Sequence, residues 1–272
     1  MHPHPIRAAV FDIDGTLAMM DKDSGTYTAL PGAVDALVGL QARGMPVVAY
    51  TNGTFFPPAH YYPLLADAGL VLEPGHILTP ATVAARQLAR MGVKRLLTIA
   101  ADGTRVPLRD AGIEVALTGD GGEVDGVILG WTKDFGAADL EEAAQLLWAG
   151  KPLYATSIAP HFAGAKGRLL GISGAVAAAL HNATGVKAKV FGKPETIGLE
   201  DISDMLGIPA REMVVIGDDP KLEIAMARKA GAFAVGVTTG TVDAAGFNAA
   251  DAALRANIVL SGLDSLLAQG WW

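Results

Sequence analysis

The sequence predicts a doubly wound α/β protein: a mostly parallel sheet with helices on both faces, carrying a second, inserted α/β domain. Three observations lead there. Short β-branched runs alternate with longer Ala- and Leu-rich stretches along the 272 residues, the pattern of repeated βαβ units. Four strand-like runs end in polar residues, at Asp12-Ile13-Asp14, Thr51-Asn52-Gly53, Gly192-Lys193-Pro194 and Gly217-Asp218-Asp219, and open parallel sheets bind ligands beyond the carboxyl ends of their strands. Between the second and third of these ends, residues 79–187 carry strands and helices of their own. The expected domains are therefore a core of residues 1–78 and 188–272 and an insertion of residues 79–187. The crossings are expected near Leu78-Thr79-Pro80 and Gly185-Val186.

Taken in order, the first strand is expected over 7–12, where Ala8-Ala9-Val10-Phe11 leads into Asp12. The helical stretch Pro31–Arg43 follows, then a strand over 46–51 that ends in Thr51. Inside the insertion, strands over 95–100, 113–117, 124–130 and 152–156 are short apolar runs, and Ala81–Met91, Ala137–Ala149 and Gly174–Thr184 are Ala-rich and long enough for helices. The return to the core brings strands over 189–192, 213–217 and 233–237, with a helix over Lys221–Ala230. The 33 glycines suit a fold in which many strands turn tightly into helices.

Composition narrows the function. The chain is 51% hydrophobic, enough for a sizeable core, but holds no apolar stretch of membrane-spanning length and no leader-like stretch before the first strand. A soluble, cytoplasmic protein is expected. There is no cysteine, which excludes disulfides, thiolate metal sites and a Cys nucleophile. A net charge of -7 argues against a nucleic-acid partner.

The chemistry begins at Asp12-Ile13-Asp14-Gly15-Thr16. In extended chain, residues two apart face the same way, ~6.5 Å apart. Two carboxylates held so need a cation or a shared proton. Phosphoryl transfer requires a nucleophile, an acid for the leaving oxygen and cations for the transferring group. Asp12 can be the nucleophile and form an aspartyl-phosphate. Asp14 can protonate the leaving alcohol and later take a proton from water. Asp218 can bind Mg²⁺ together with Asp12 and Asp14. Lys193 brings a positive charge, and Thr51 and Asn52 bring donors for phosphate oxygens. Each motif alone also has a plainer reading: a solvated turn at Asp12–Asp14, a turn signal at Thr51-Asn52-Gly53, a surface lysine at Lys193, a helix cap at Asp218-Asp219.

Taken together and in this order, the four motifs resemble the haloacid-dehalogenase (HAD) superfamily of aspartate-based phosphatases. The size and place of the insertion further resemble the subclass with a type IIA cap, which includes NagD-like and 4-nitrophenylphosphatase-like enzymes. Asp125-Gly-Val-Ile-Leu-Gly130 and Leu153-Tyr-Ala-Thr156 of the insertion carry the same resemblance. The resemblance implies a Mg²⁺-dependent phosphomonoesterase for a small phosphorylated metabolite, with a Rossmann-like core and a mobile cap. It gives supporting roles to Gly53, Asp219 and Glu223. Members often dimerise through the cap, so a homodimer is compatible with it.

Three stretches depart from the pattern. Glu223 stands where Asp is commoner, and is expected to orient a metal-bound water. The loop after Thr156 reads Ser157-Ile158-Ala159-Pro160-His161 in place of Asn and Pro-Asp, which makes Ser157 and His161 candidate substrate contacts of the cap. Residues 22–27 look like an added flap, and Trp271-Trp272 is a tail or a contact surface. The rival functions are a 2-haloacid dehalogenase, which has no alcohol to protonate and so no use for Asp14, and a phosphate-binding module that has lost turnover. A receiver-type phosphoacceptor would not carry an insertion of roughly 100 residues.

Overall fold

The computed structural model describes residues 4–21, 24–164 and 167–271. Lys22 and Asp23 of the expected flap, and Trp272, lie outside the described residues. The chain divides into two compact units. The first is built from residues 1–51, 59–78 and 193–272, the second from residues 52–58 and 79–192.

The first unit holds a six-stranded, all-parallel sheet. Its strands run in the order Ile258–Leu260, Phe233–Val237, Met213–Gly217, Ala8–Phe11, Val47–Tyr50, Ile77–Leu78. The central strand Ala8–Phe11 is buried throughout, as a strand covered on both faces must be. The order reverses on either side of it, the switch point at which such sheets bind ligands. Phe11, Ile13, Leu17, Leu37, Leu40, Val214, Ile216 and Val235 form the core on one face. Each large side chain buried there contributes about 1.5–3 kcal/mol. A small antiparallel hairpin, Ala18–Met20 with Tyr27–Ala29, stands directly after Asp14, where the sequence suggested only a flap.

The second unit holds a five-stranded parallel sheet in the order Lys189–Val190, Leu153–Ala155, Gly126–Leu129, Arg95–Ile99, Glu114–Ala116. Leu97, Val127, Leu129, Leu147, Leu153, Val176 and Leu180 pack its core. Its first long helix, Pro80–Arg90, begins at Thr79 because Thr79 and Thr82 cap one another and Pro80 fits the first turn. Helix Ile172–Thr184 stops at Gly185, whose φ of 75° is left-handed. The strand expected over 189–192 is the short edge Lys189–Val190, which pairs with Leu153–Ala155. The chain therefore enters the first unit at Lys193, a few residues later than its hydrophobic pattern suggested. Helices Pro58–Asp67, Asp102–Asp110 and Ile197–Leu206, the last strand Ile258–Leu260 and the hairpin His161–Gly164/Gly167–Leu170 are further elements. No described helix is long and apolar enough to cross a membrane.

Candidate active site

Register delivers the first two acids. Phe11 pairs with Ile216 across neighbouring strands, so Asp12 follows one strand end as Gly217 closes the other, and the Asp12 amide donates to Ile216 O at 2.9 Å. Asp218 comes next. Both carboxylates are buried, at 7% and 4% exposure. On the other side of Ala8–Phe11 lies Val47–Tyr50, followed by the buried Thr51, whose amide donates to Leu78 O at 3.2 Å.

Lys193 ties these strand ends together. Its ammonium donates to Asp12 Oδ1 at 2.5 Å and to Tyr50 O at 2.9 Å, and lies 2.6 Å from Glu223 Oε1. Burial alone would lower the lysine pKa, but Asp12 and Glu223 outweigh it and hold the ammonium protonated well above its usual range. Burial raises Asp12 well above an ordinary aspartate; Lys193 opposes that shift, while Glu223 and Asp218 add to it. Burial likewise raises Glu223, with Asp218 adding to it. Two buried carboxylates, Asp12 and Glu223, thus share one lysine, and the buried Asp218 acts on both of them.

Two glycines make room for Asp218. A Cβ on Gly15 would lie 2.7 Å from Asp218 Oδ2, and one on Gly240 only 2.1 Å from it. Gly15 also has φ +91°, a left-handed conformation that disfavours any side chain. Thr241 then fixes the same carboxylate oxygen, through its amide at 2.6 Å and its hydroxyl at 2.9 Å. Thr239 Oγ1 donates to Gly15 O at 2.7 Å, closing the Asp12–Thr16 turn against the loop that follows strand Phe233–Val237.

Glu223 reaches Lys193 through a local device. Pro220–Ile224 forms a single π-helical turn, a rare form that is frequent at functional sites. Asp219 caps it, accepting from the Lys221 amide at 2.7 Å. Glu223 folds back across Gly217, where a Cβ would lie 2.1 Å from Glu223 Cγ. Its second oxygen accepts from the Asp219 amide at 3.1 Å. Glu223 is thus the anionic partner of Lys193, and Asp219 is the helix cap.

The remaining predicted residues are placed as follows. Asp14 is exposed, at the foot of the hairpin. Asn52 and Gly53 belong to the second unit, where Asn52 Oδ1 and Thr156 O crowd Gly192 so closely that a Cβ there would lie 2.8 Å and 2.5 Å from them. Ser157 holds its own loop, its hydroxyl accepting from the Ala159 amide at 3.1 Å and its carbonyl accepting from Ser173 at 2.8 Å. His161 is exposed at the start of a hairpin. Tyr50, Thr239, Gly240 and Thr241 were missed in the sequence. Thr238-Thr239-Gly240-Thr241 is itself a polar strand end, of the same kind as the four motifs.

The donors suit a small hard cation. Mg²⁺ takes one or two carboxylates and keeps several waters, and Asp12 and Asp218 are two buried carboxylates whose mutual repulsion a cation would relieve. Among the described residues no group of three or more His, Cys, Asp or Glu side chains forms a metal cage. The arrangement as a whole can hold an anionic nucleophile in fixed orientation beside matched positive charge.

A haloacid dehalogenase-like hydrolase family model matches residues 9–114, and a second HAD-hydrolase-like model matches residues 190–266. The mouse haloacid dehalogenase-like hydrolase domain-containing protein 2 is 30% identical over 242 residues, covering 88% of this chain and 87% of that protein. Among solved structures, the 4-nitrophenylphosphatase of Thermotoga maritima superposes with a TM-score of 0.86 at 24% identity, covering 97% of each chain. The glycerol phosphate phosphatase of Mycobacterium tuberculosis, solved in complex with calcium and with magnesium, superposes with a TM-score of 0.84 at 25% identity. In the calcium complex the match covers 96% of this chain and 74% of that one.

Proposed function

We propose that this chain, which belongs to the haloacid dehalogenase-like hydrolases, is a phosphatase that hydrolyses small phosphomonoesters, with Mg²⁺, through a phosphorylated Asp12. The observation that carries this reading is the buried cluster in which Lys193 holds Asp12 Oδ1 at 2.5 Å while Asp218 stands by on the adjacent strand end. The ammonium fixes one oxygen of the nucleophile and leaves the other to attack phosphorus.

In the first step an Asp12 oxygen bonds to phosphorus, the ester P–O bond breaks, and Asp14 gives its proton to the departing alcohol. In the second step water attacks phosphorus, Asp14 takes its proton, and Asp12 is released with inorganic phosphate. Asp14 is the exposed acid of the pair and Asp12 the buried one, so only Asp14 is open to exchange protons with an alcohol or water. Lys193 offsets the charge gathering around Asp12, and Thr51 and Asn52 are the donors for phosphate oxygens. Asp12, Asp14 and Asp218 are the residues that would hold Mg²⁺, which supplies positive charge to the transferring phosphoryl group when bound.

The substrate class rests on likeness. The glycerol phosphate phosphatase acts on a small phosphorylated polyol. Selection among such esters falls to the inserted unit, with Ser157 and His161 as the candidate contacts. Hydrolysis of a panel of small phosphomonoesters with and without Mg²⁺ tests the reading. Release of phosphate from at least one of them is expected, and a flat panel with Mg²⁺ present would contradict it.

A further inference from the structure

The two oxygens of the Asp218 carboxylate are not equivalent. Oδ2 accepts twice from one residue, from the Thr241 amide at 2.6 Å and from the Thr241 hydroxyl at 2.9 Å. The same hydroxyl reaches the Asp218 carbonyl only at 3.5 Å, so its single proton belongs to Oδ2. A carboxylate oxygen has two lone-pair sites, and these two donors fill both. Among the described residues no donor reaches Oδ1. The loop that carries Thr241 is itself tied down, since the Thr239 hydroxyl donates to Gly15 O at 2.7 Å. Asp218 is buried and Thr241 is exposed. A change at Thr241 therefore alters the donors of the carboxylate without opening the core.

We propose that Thr241 sets which divalent cation the site prefers, by leaving Asp218 a single oxygen with which to ligate. This rests on the Mg²⁺ role given to Asp218 above. Mg²⁺ demands octahedral geometry at about 2.0–2.1 Å, keeps several waters and is held by one or two carboxylates. Ca²⁺ takes about six to eight oxygens at about 2.3–2.6 Å, and a carboxylate can give it both of its own. A carboxylate pinned at one oxygen serves the smaller ion fully and withholds a ligand from the larger. Without the hydroxyl, one lone pair of Oδ2 is free, and Asp218 can offer both oxygens to Ca²⁺.

The test is titration calorimetry of the EDTA-treated, dialysed full chain with Mg²⁺ and, separately, with Ca²⁺, in the wild type, Thr241→Val and Thr241→Ser. Valine keeps the shape of threonine and removes the hydroxyl, whereas serine keeps the hydroxyl. Loss of a hydrogen bond that orients a metal ligand commonly weakens binding by about 10–100-fold. In Thr241→Val the Mg²⁺ affinity is expected to fall about tenfold while the Ca²⁺ affinity holds or rises, because the freed oxygen compensates. The ratio of the Ca²⁺ Kd to the Mg²⁺ Kd therefore falls by at least about tenfold, and Thr241→Ser keeps the wild-type ratio. An equal loss for both ions in Thr241→Val would reveal a merely supporting role and overturn the proposal, as would an unchanged ratio or a serine variant that behaves like valine. A wild type that binds neither ion would overturn the metal role of Asp218, and this proposal with it. Binding is read without turnover, so the expected shift in a protein that hydrolyses no ester would support this proposal and contradict only the phosphatase reading.

Discussion

Lys193 Nζ lies 2.6 Å from Glu223 Oε1, and the two side chains are 1% and 3% exposed. This pair joins the residue that opens the last segment of the first unit to the π-helical turn after Met213–Gly217. Glu223 thereby holds the lysine that holds Asp12.

Removing the lysine leaves two buried carboxylates unmatched. Lys193→Met is expected to lower unfolding stability by about 3–5 kcal/mol, the range seen when one partner of a buried pair is deleted. Urea unfolding followed by circular dichroism measures it. Glu223→Gln keeps a hydrogen-bonding group of the same size and should cost less. A Lys193→Met protein as stable as the wild type would mean that the pair is not formed.

The space around Asp218 is set by glycine. Gly240→Ala would place a methyl 2.1 Å from Asp218 Oδ2, displacing the carboxylate from Thr241. The expected result is a folded protein with Mg²⁺ affinity weakened by about 10–100-fold, the usual cost of losing support around a metal ligand. Titration calorimetry with Mg²⁺ reads it directly. Unaltered affinity would remove Asp218 from the metal site.

Burial, as the largest cause, pushes the phenols of Tyr27, Tyr50 and Tyr61 well above their ordinary value of 10.0. A raised folded-state value stabilises the protein below the unfolded value, and that stability is lost as pH rises through the folded one. Phenolate absorbance from these three residues should therefore develop only with alkaline unfolding, above about pH 10. Ionisation of all five tyrosines near pH 10 with helicity intact would contradict the burial.

Chelation should act on both activity and stability. EDTA is expected to abolish ester hydrolysis, and added Mg²⁺ to restore it. Because a ligand that binds only the folded state stabilises it by mass action, Mg²⁺ at 100 times its Kd should add about 2.7 kcal/mol. An EDTA-insensitive enzyme with no shift in Tm would exclude the metal role of Asp12 and Asp218.

Much of this site was legible because its residues end strands. Asp12, Thr51 and Asp218 each follow an apolar run, and parallel pairing alone sets Asp12 beside Gly217-Asp218. Lys193 was legible by type but not by partner, since its ion pair with Asp12 spans 181 residues of sequence and has no local periodicity. Glu223 was expected to orient water. Its pairing with Lys193 depends on the π-helical turn and on the bare Gly217, neither of which leaves a pattern in the hydrophobic spacing. Strand Lys189–Val190 looked like a core strand, but a two-residue edge strand carries no information about which sheet it joins.

The most direct test of the account is the turnover of Asp12→Asn with 4-nitrophenyl phosphate and saturating Mg²⁺. The amide keeps the size of the side chain and its contact with Lys193 but cannot serve as an anionic nucleophile. The expected result is a loss of kcat of at least about a thousandfold, on the scale seen when a catalytic nucleophile is removed, in a protein with unchanged circular dichroism. Near-native turnover by Asp12→Asn would contradict a phosphorylated Asp12 and, with it, the mechanism proposed for this site.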